Sequence, residues 1–442
     1  MLKETHPPFP RLKSRGNGRS RTNIRVSLDK QGGRMFSKVS FPIRYGKFSE
    51  IQTPDHIFHF NLNAEIKWVR GNGPDWPHPS EWLKRTFGGD WIYYSAGGYS
   101  GLEDFTGEHY LPCLPYPTNA LIGPDPFRDP AVVRAMESPR RLSENLASRV
   151  SQNGAGETGA FFKKVIEHIQ TDPGEKARRL CEITGAPISV LPPDARHVDY
   201  EVIPLVIADG CLYNCGFCSV KSGRRLSVRS EKDIAGQIRA LKEFYGRDIQ
   251  NANAIFLGLH DSLAAGADAI DFAAKTAHEV FDFSHSHMTG AFLFLFGSVD
   301  SLLDAGDDLF ERLDRLPFYT HINIGLESPD PATLKFLKKP LTPASVEKAF
   351  EKMIQINRTR KNVEISANLV LGPDLPGSHL PACAELIEKR LERFYAKGAL
   401  YMSPLWSKGP GPCPAKQNIL DGFFKIKRMK KMETLLYLIQ RL

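Results

Sequence analysis

No apolar run approaches the roughly 18 residues that a membrane-spanning helix needs, so no transmembrane segment is expected. The N-terminal thirty residues are basic and rich in Pro and Gly, and they lack the apolar stretch of a secretory signal. A soluble, cytoplasmic protein with no membrane partner is the expectation. No internal repeat of fixed period is present, which sets aside solenoids and propellers. Cysteine is sparse: seven in 442 residues, at 113, 181, 211, 215, 218, 383 and 413. An odd number with three packed into eight positions is not a disulfide framework, and in a reducing compartment such a cluster points to metal or redox chemistry. The body of the chain also lacks an excess of either charge. Between Lys3 and Lys38 ten Lys and Arg face two acids, and this segment carries the whole formal net charge of +8. Such an arm could meet nucleic acid or an acidic surface, but it reads first as a solvated, disordered tail, with an extension ahead of a start at Met35 as a third reading. Nucleic acid is not the expected partner, because no aromatic platform or broad basic face accompanies the arm.

The length exceeds one typical domain, and the composition divides the chain. Residues 1–35 read as a disordered basic arm and 36–120 as an aromatic-rich, mostly β or irregular N-terminal module. In that module His56–Leu62 and Glu65–Val69 flank Asn63-Ala64 as a hairpin. Trp76, Trp82, Trp91, Tyr93 and Tyr94 read as its core rather than a ligand box. Residues 121–199 read as a linker, with a short helical stretch at Ala131–Met136 and helices at 157–170 and 174–184. The module is placed over the opening of the domain that follows.

From Tyr200 strands and helices alternate. Strands are expected at 202–208, 254–259, 291–296, 321–326, 363–371 and 399–403, several of them continuous apolar runs as for strands buried on both faces. Helices are expected after Ser230 with Asp233 at the capping-box position, at 262–281, at 299–314, at 330–337, at 343–357 after Thr342-Pro343, and at 379–396 ended by Gly398. The fold class is α/β: an incomplete (β/α)6 TIM-like barrel over 200–405, with an open doubly wound sheet as the alternative. Residues 406–442 form a C-terminal extension, in which Lys425–Lys431 reads as a solvated helix face and Cys413 as an ordinary loop cysteine.

Directly after the first of these strands comes Gly210-Cys211-Leu212-Tyr213-Asn214-Cys215-Gly216-Phe217-Cys218. Thiolates are soft ligands that suit an iron–sulfur cluster or zinc. Three of them on a [4Fe-4S] cube leave one iron open to a small molecule, as at an open catalytic metal site. A structural zinc site needs a fourth ligand, with His197 or a distant cysteine as the candidate. The other four cysteines are too scattered for a second cluster from nearby residues.

The Cys-x3-Cys-x2-Cys spacing, with an aromatic residue before the last cysteine, resembles the cluster loop of the radical S-adenosylmethionine (SAM) superfamily. The resemblance covers about 200–405. It implies that Cys211, Cys215 and Cys218 hold a [4Fe-4S] cluster whose open iron binds the amino and carboxylate groups of SAM. It implies reductive cleavage of the sulfonium to methionine and a 5′-deoxyadenosyl radical, on an unknown substrate. It also implies an electron donor such as ferredoxin or flavodoxin, and a site at the C-terminal mouth of the barrel. Residue by residue, Gly258-Leu259-His260-Asp261 stands where the family meets the SAM amino group, although the commoner sequence there is Gly-Gly-Glu. Ser298 follows the third strand as a further SAM contact. Glu327, in Gly325-Leu326-Glu327-Ser328, stands at the ribose position, and Leu371-Gly372-Pro373 at the adenine segment. Phe217 is expected beside adenine. The stretch Lys221–Arg225 and Val228–Ser230 is similar to that of methylthiotransferases and cobalamin-binding members. The additional domains of those two groups are not evident here, which argues against both activities.

Overall fold

The computed structural model describes residues 24–35, 45–77, 79, 81–85, 91–95, 109–112, 126–153, 156–186, 191–198, 202–213, 215–218, 224–405 and 416–437. The first seven strands form one antiparallel meander in sequence order: β1 (Arg25–Gln31), β2 (Lys47–Gln52), β3 (His56–Phe60), β4 (Ile66–Gly71), β5 (Glu81–Arg85), β6 (Trp91–Ser95) and β7 (His109–Pro112). The expected hairpin is β3–β4. Its turn is held by the Asn61 side chain, which accepts from the amides of Asn63 and Glu65 at 3.0 and 2.9 Å.

Two expectations change here. Residues 25–31, assigned to the arm, form the edge strand β1, whose Ser27 and Lys30 sit across from Glu50 and Phe48. The stretch assigned to a linker is a long helix, α1 (Pro130–Asn153), followed by α2 (Glu157–Gln170) and α3 (Pro173–Thr184). Val132, Ala135, Leu142 and Leu146 of α1, with Phe162 and Val165 of α2, bury one face of the sheet against Ile51, Phe58, Phe60, Val69 and Leu83. The module is therefore a two-layer α/β unit. Trp76, Trp91 and Tyr93 lie in this core and Trp82 is buried.

The second sheet has seven strands, all parallel: β8 (Ile203–Leu205), β11 (Ala254–Leu257), β12 (Phe292–Gly297), β13 (Tyr319–Glu327), β14 (Val363–Leu371), β15 (Tyr395–Pro404) and β16 (Met432–Leu436), neighbours in that order. The short pair β9 (Ala208–Asp209) and β10 (Ser227–Val228) stands apart. The intervening helices are α4 (Glu231–Tyr245), α5 (Gly266–Val280), α6 (Val299–Asp304), α7 (Asp307–Arg315), α8 (Pro331–Phe336), α9 (Pro343–Thr359), α10 (His379–Arg390) and α11 (Lys416–Lys427). Each strand adds beside its predecessor with no reversal, which is barrel winding. A doubly wound sheet would change direction at a switch point.

Ile255, Leu257, Leu293, Leu295, Ile322, Ile324, Ile365 and Ala367 face the helical layer. On the other face, Leu191, Ala195 and Val198 pack on Ala254, Phe256 and Phe294. In the same segment Asp194 accepts from Ser366 at 2.5 Å and from Tyr401 at 2.9 Å, and the Leu191 carbonyl accepts from Tyr437 at 2.7 Å. One short segment thus meets strands from β11 to β15 and the residue just past β16. The sheet therefore curves around it.

The sheet gains a seventh strand beyond the six expected, because β16 returns parallel to β15 after α11. The first strand is shorter than expected: at Val206 the Gln237 side chain replaces a strand, accepting from the amide at 2.8 Å and donating to the carbonyl at 3.0 Å. The 262–281 helix begins only at Gly266 (φ +84°), and the 299–314 helix breaks at Ala305-Gly306. The helix after β14 stops at Arg390, so Gly398 does not end it. With φ +93° that glycine lies at an irregularity inside β15, between Tyr395 and Ala399.

The module does not cover the barrel opening through its described residues. Asn61 and the Leu62 amide each bond Asp248 at 3.2 Å, Asn63 donates to the Tyr245 carbonyl at 2.8 Å, and Asn251 exchanges bonds with the Lys47 backbone at 2.7 and 2.9 Å. All these partners lie ahead of β11, at the N-terminal edge of the sheet, opposite the mouth. No helix among the described residues is long and apolar enough to cross a membrane.

Candidate active site

The cysteine loop leaves the sheet between β9 and β10, and its neck is closed twice. The two strands pair Asp209 with Ser227. Arg229 then grips Asp209 with Nε and Nη2, at 2.8 and 2.7 Å, and its Nη1 reaches the Thr184 carbonyl at 2.7 Å. Such forked pairing fixes geometry as well as charge, and it holds the Asp209 carboxyl below its ordinary value. Gly210 makes the turn at φ +85°, where a Cβ would strike the Arg225 carbonyl. The Cys211 amide donates to the Arg224 carbonyl at 3.3 Å.

Inside the loop, Cys215 is buried and Cys211 and Cys218 are half-buried. Burial raises the Cys211 and Cys215 thiols. Cys215 also feels both other thiols, while Lys339 pulls it the other way. The three thiols therefore lie within electrostatic range of one another. Yet among the described residues no three His, Cys, Asp or Glu side chains converge on a position for a single metal ion. The His197 side chain and Cys413 lie outside the described residues, as do Asn214 and most of Lys221–Arg225.

The segment after α8 braces the loop from the side. The Gly216 amide donates to the Leu337 carbonyl at 3.0 Å, and Lys338 takes a left-handed φ of +52° against Gly216. Lys339 is buried, with Nζ 2.8 Å from Glu327 Oε1, 2.6 Å from the Gly325 carbonyl and 5.8 Å from the Tyr213 ring centroid. Glu327 itself has φ +61° where the β13–β14 register breaks. A buried glutamate in the left-handed region is strained, and such strain clusters at functional sites. Its other carboxylate oxygen has no hydrogen-bond partner among the described residues.

At the end of β11, Gly258 has φ +98° and leaves no room for a Cβ against Ser262. Asp261 Oδ1 accepts from the Ser298 amide at 3.1 Å and from Ser301 at 2.7 Å. Its Oδ2 is buried with no hydrogen-bond partner among the described residues. Burial raises the Asp261 carboxyl, and its charge contributes to the raised value of the Cys211 thiol. His260 is half-buried and its ring is pushed toward the neutral form by that burial. Ser298 caps α6 in a reciprocal arrangement with Ser301, at 3.0 and 2.8 Å. Tyr213 accepts from the Asp300 amide at 3.0 Å, which ties the cysteine loop to the same helix start. Leu371 turns its side chain into the helical layer, and its carbonyl accepts from the Leu405 amide at 2.5 Å. Gly372 and Phe217 are half-buried.

The strand ends thus gather Cys211, Cys215, Tyr213, Asp261, Ser298, Glu327 and Lys339 through direct contacts or mutual charge effects. Among these, sequence reasoning gave no role to Tyr213 or Lys339. Arg229 appeared only within a basic stretch, with no sign of its partner Asp209.

Residues 205–387 match the family model described as the radical SAM superfamily. No curated protein matches the sequence. SuiB from Streptococcus suis aligns at 11% identity over 80% of this chain and 70% of its own, with a TM-score of 0.35. A SuiB structure with bound S-adenosylmethionine gives 12%, the same coverage and 0.36. A radical SAM methyltransferase from Sphaerobacter thermophilus aligns at 13% over 67% of this chain and 93% of its own, with a TM-score of 0.37. Likenesses at this level transfer no activity. The match spans the cysteine loop and strands β11 to β14, so this stretch of the chain is similar to the radical SAM superfamily.

Proposed function

We propose that Cys211, Cys215 and Cys218 hold a [4Fe-4S] cluster and that SAM binds at its fourth iron. The observation that carries this reading is the buried Oδ2 of Asp261 at the end of β11, which has no hydrogen-bond partner among the described residues. A buried polar atom without a partner is costly and calls for an explanation, and an ammonium group supplies one. Asp261 accepts from the SAM ammonium while Ser298 and Ser301 hold its other oxygen. His260, kept neutral by burial, adds no competing positive charge. Glu327 offers its second oxygen to the ribose hydroxyls, which a carboxylate accepts well. Phe217 and the backbone at Leu371-Gly372 border the adenine. Because the Leu371 carbonyl is already engaged, the contact there falls to Gly372. When bound and reduced, the cluster supplies the electron that splits the sulfonium into methionine and a 5′-deoxyadenosyl radical, which takes a hydrogen atom from the substrate. A low-potential donor such as ferredoxin or flavodoxin is the implied partner, and the protein acts in the cytoplasm.

The test uses anaerobically reconstituted full chain. About four irons and four sulfides per chain are expected for a cube, with 5′-deoxyadenosine formed from SAM and dithionite and lost in Cys215→Ala. Zinc in place of iron, or an intact cluster that never cleaves SAM, overturns the reading.

A further inference from the structure

We propose that His379 is a positioning residue that sets the separation between Glu327 and the Leu371-Gly372 strand end, the two sides of the adenosine subsite; the inference rests on the SAM reading above. Regular pairing of β13 with β14 ends at Glu327 opposite Leu369, just past a register break. The next residues, Ser328 and Val370, are joined through a third element instead. His379 opens α10, is 2% exposed, and stands between them. Its Nδ1 lies 2.8 Å from Ser328 Oγ and its Nε2 2.7 Å from the Val370 carbonyl. A carbonyl only accepts, so Nε2 carries the proton. Nδ1 is then the acceptor, and the Ser328 hydroxyl donates to it. Ser328 Oγ in turn accepts from the Asp330 amide at 3.0 Å.

One imidazole therefore replaces the missing rung of the ladder and fixes both strand ends. The neighbour on one side is Glu327, whose left-handed backbone needs support from outside. The neighbour on the other is Leu371, which leads to Gly372. His379 itself is buried behind these residues, so it acts through them. Nothing in the cysteine loop contacts it among the described residues. Its influence should fall on the adenosine part of the ligand and spare the part held by the cluster.

That separation makes the test. On reconstituted full chain with the cluster oxidised, the affinities of SAM and of free methionine are measured for the parent, Ser328→Ala and His379→Gln. The glutamine keeps a donor near the Val370 carbonyl, but its acceptor oxygen does not occupy the position of Nδ1 that receives the Ser328 hydroxyl. Loss of an orienting outer partner costs roughly 10- to 100-fold in affinity at comparable sites. We expect a loss of that order for SAM in both variants, with methionine affinity and iron content unchanged. The double variant should be no weaker than the weaker single one, because both remove the same bridge. SAM affinity equal to the parent's in both variants overturns the proposal. So does an equal loss for methionine, which would mean general damage. If His379→Gln does not fold, Ser328→Ala alone decides. A parent that takes up cluster but binds no SAM would instead sink the functional reading, leaving the two failures distinct.

Discussion

Removing the Lys339 charge should cost more than any other single change at the site. Its side chain is 5% exposed and that of Glu327 is 10% exposed, with 2.8 Å between Nζ and Oε1. Breaking a buried ion pair by deleting one partner costs about 3–5 kcal/mol, because the remaining charge is left without water or a counter-ion. Lys339→Met keeps the length of the stem, so most of that cost is electrostatic. It also strips a donor from the Gly325 carbonyl. Against a typical total of about 5–15 kcal/mol, the barrel of this variant should unfold at a distinctly lower urea concentration. Glu327→Gln should cost less, since the ammonium keeps Gly325 and the amide oxygen. In Lys339→Met/Glu327→Gln no buried charge remains, so the double variant should be more stable than Lys339→Met alone. The assay is urea denaturation of metal-free protein followed by circular dichroism. A cost below about 1 kcal/mol for Lys339→Met, the range of exposed pairs, would refute the argument. So would a double variant whose cost equals the sum of the singles.

Other expectations follow from the loop and its supports. Gly210→Ala places a Cβ against the Arg225 carbonyl at φ +85°, so iron retained after reconstitution should fall well below the parent's. Arg229→Ala opens the neck held by Asp209 and Thr184. Because Asp209 is partly exposed, the stability cost should be only about 1–2 kcal/mol, read as a lower thermal midpoint. Burial lowers His379 from its ordinary 6.5, with the Asp330 charge a smaller opposing effect. Below that pH the unfolded chain binds a proton that the folded chain refuses. Stability from this residue is therefore complete above about pH 6.5 and is lost as pH falls toward the folded value. Urea midpoints taken from pH 7.5 to 5 should decline over the lower half of that range, and less steeply in His379→Gln.

The parts of the fold legible in the sequence are those whose signal is local. The run Val363–Leu371 names its own strand, because a strand covered on both faces must be apolar throughout. Thr342-Pro343 names the start of α9, because capping is decided within one turn. The errors fall where a distant partner decides. Arg25–Gln31 is polar enough to read as a tail, and it is a strand only because β2 offers it an edge. Val206–Ile207 is apolar enough to read as strand, but Gln237 takes its backbone bonds from thirty-one residues away. Met432–Leu436 follows the lysine-rich stretch that reads as a solvated helix face, and it becomes a strand through the edge left free by β15.

The site divides along the same line, and the division has a physical cause. Three thiols on one loop can be read from their spacing because the cluster they suit is no larger than the loop. The carboxylates at 261 and 327 stand out only by likeness to the family, at the strand ends where a barrel concentrates its chemistry. Lys339 and His379 were not found, since a lone lysine or histidine carries no sign of what it touches. Both are buried polar groups, and such groups are retained only when paired. Lys339 pairs with the carboxylate of Glu327, and His379 with Ser328, the residue beside it. Glu327 sits in a backbone conformation that it does not favour alone. A lysine from one side and a serine–histidine bridge from the other hold it there. The residue that sequence alone could place but not explain is thus the one on which the two unforeseen residues converge.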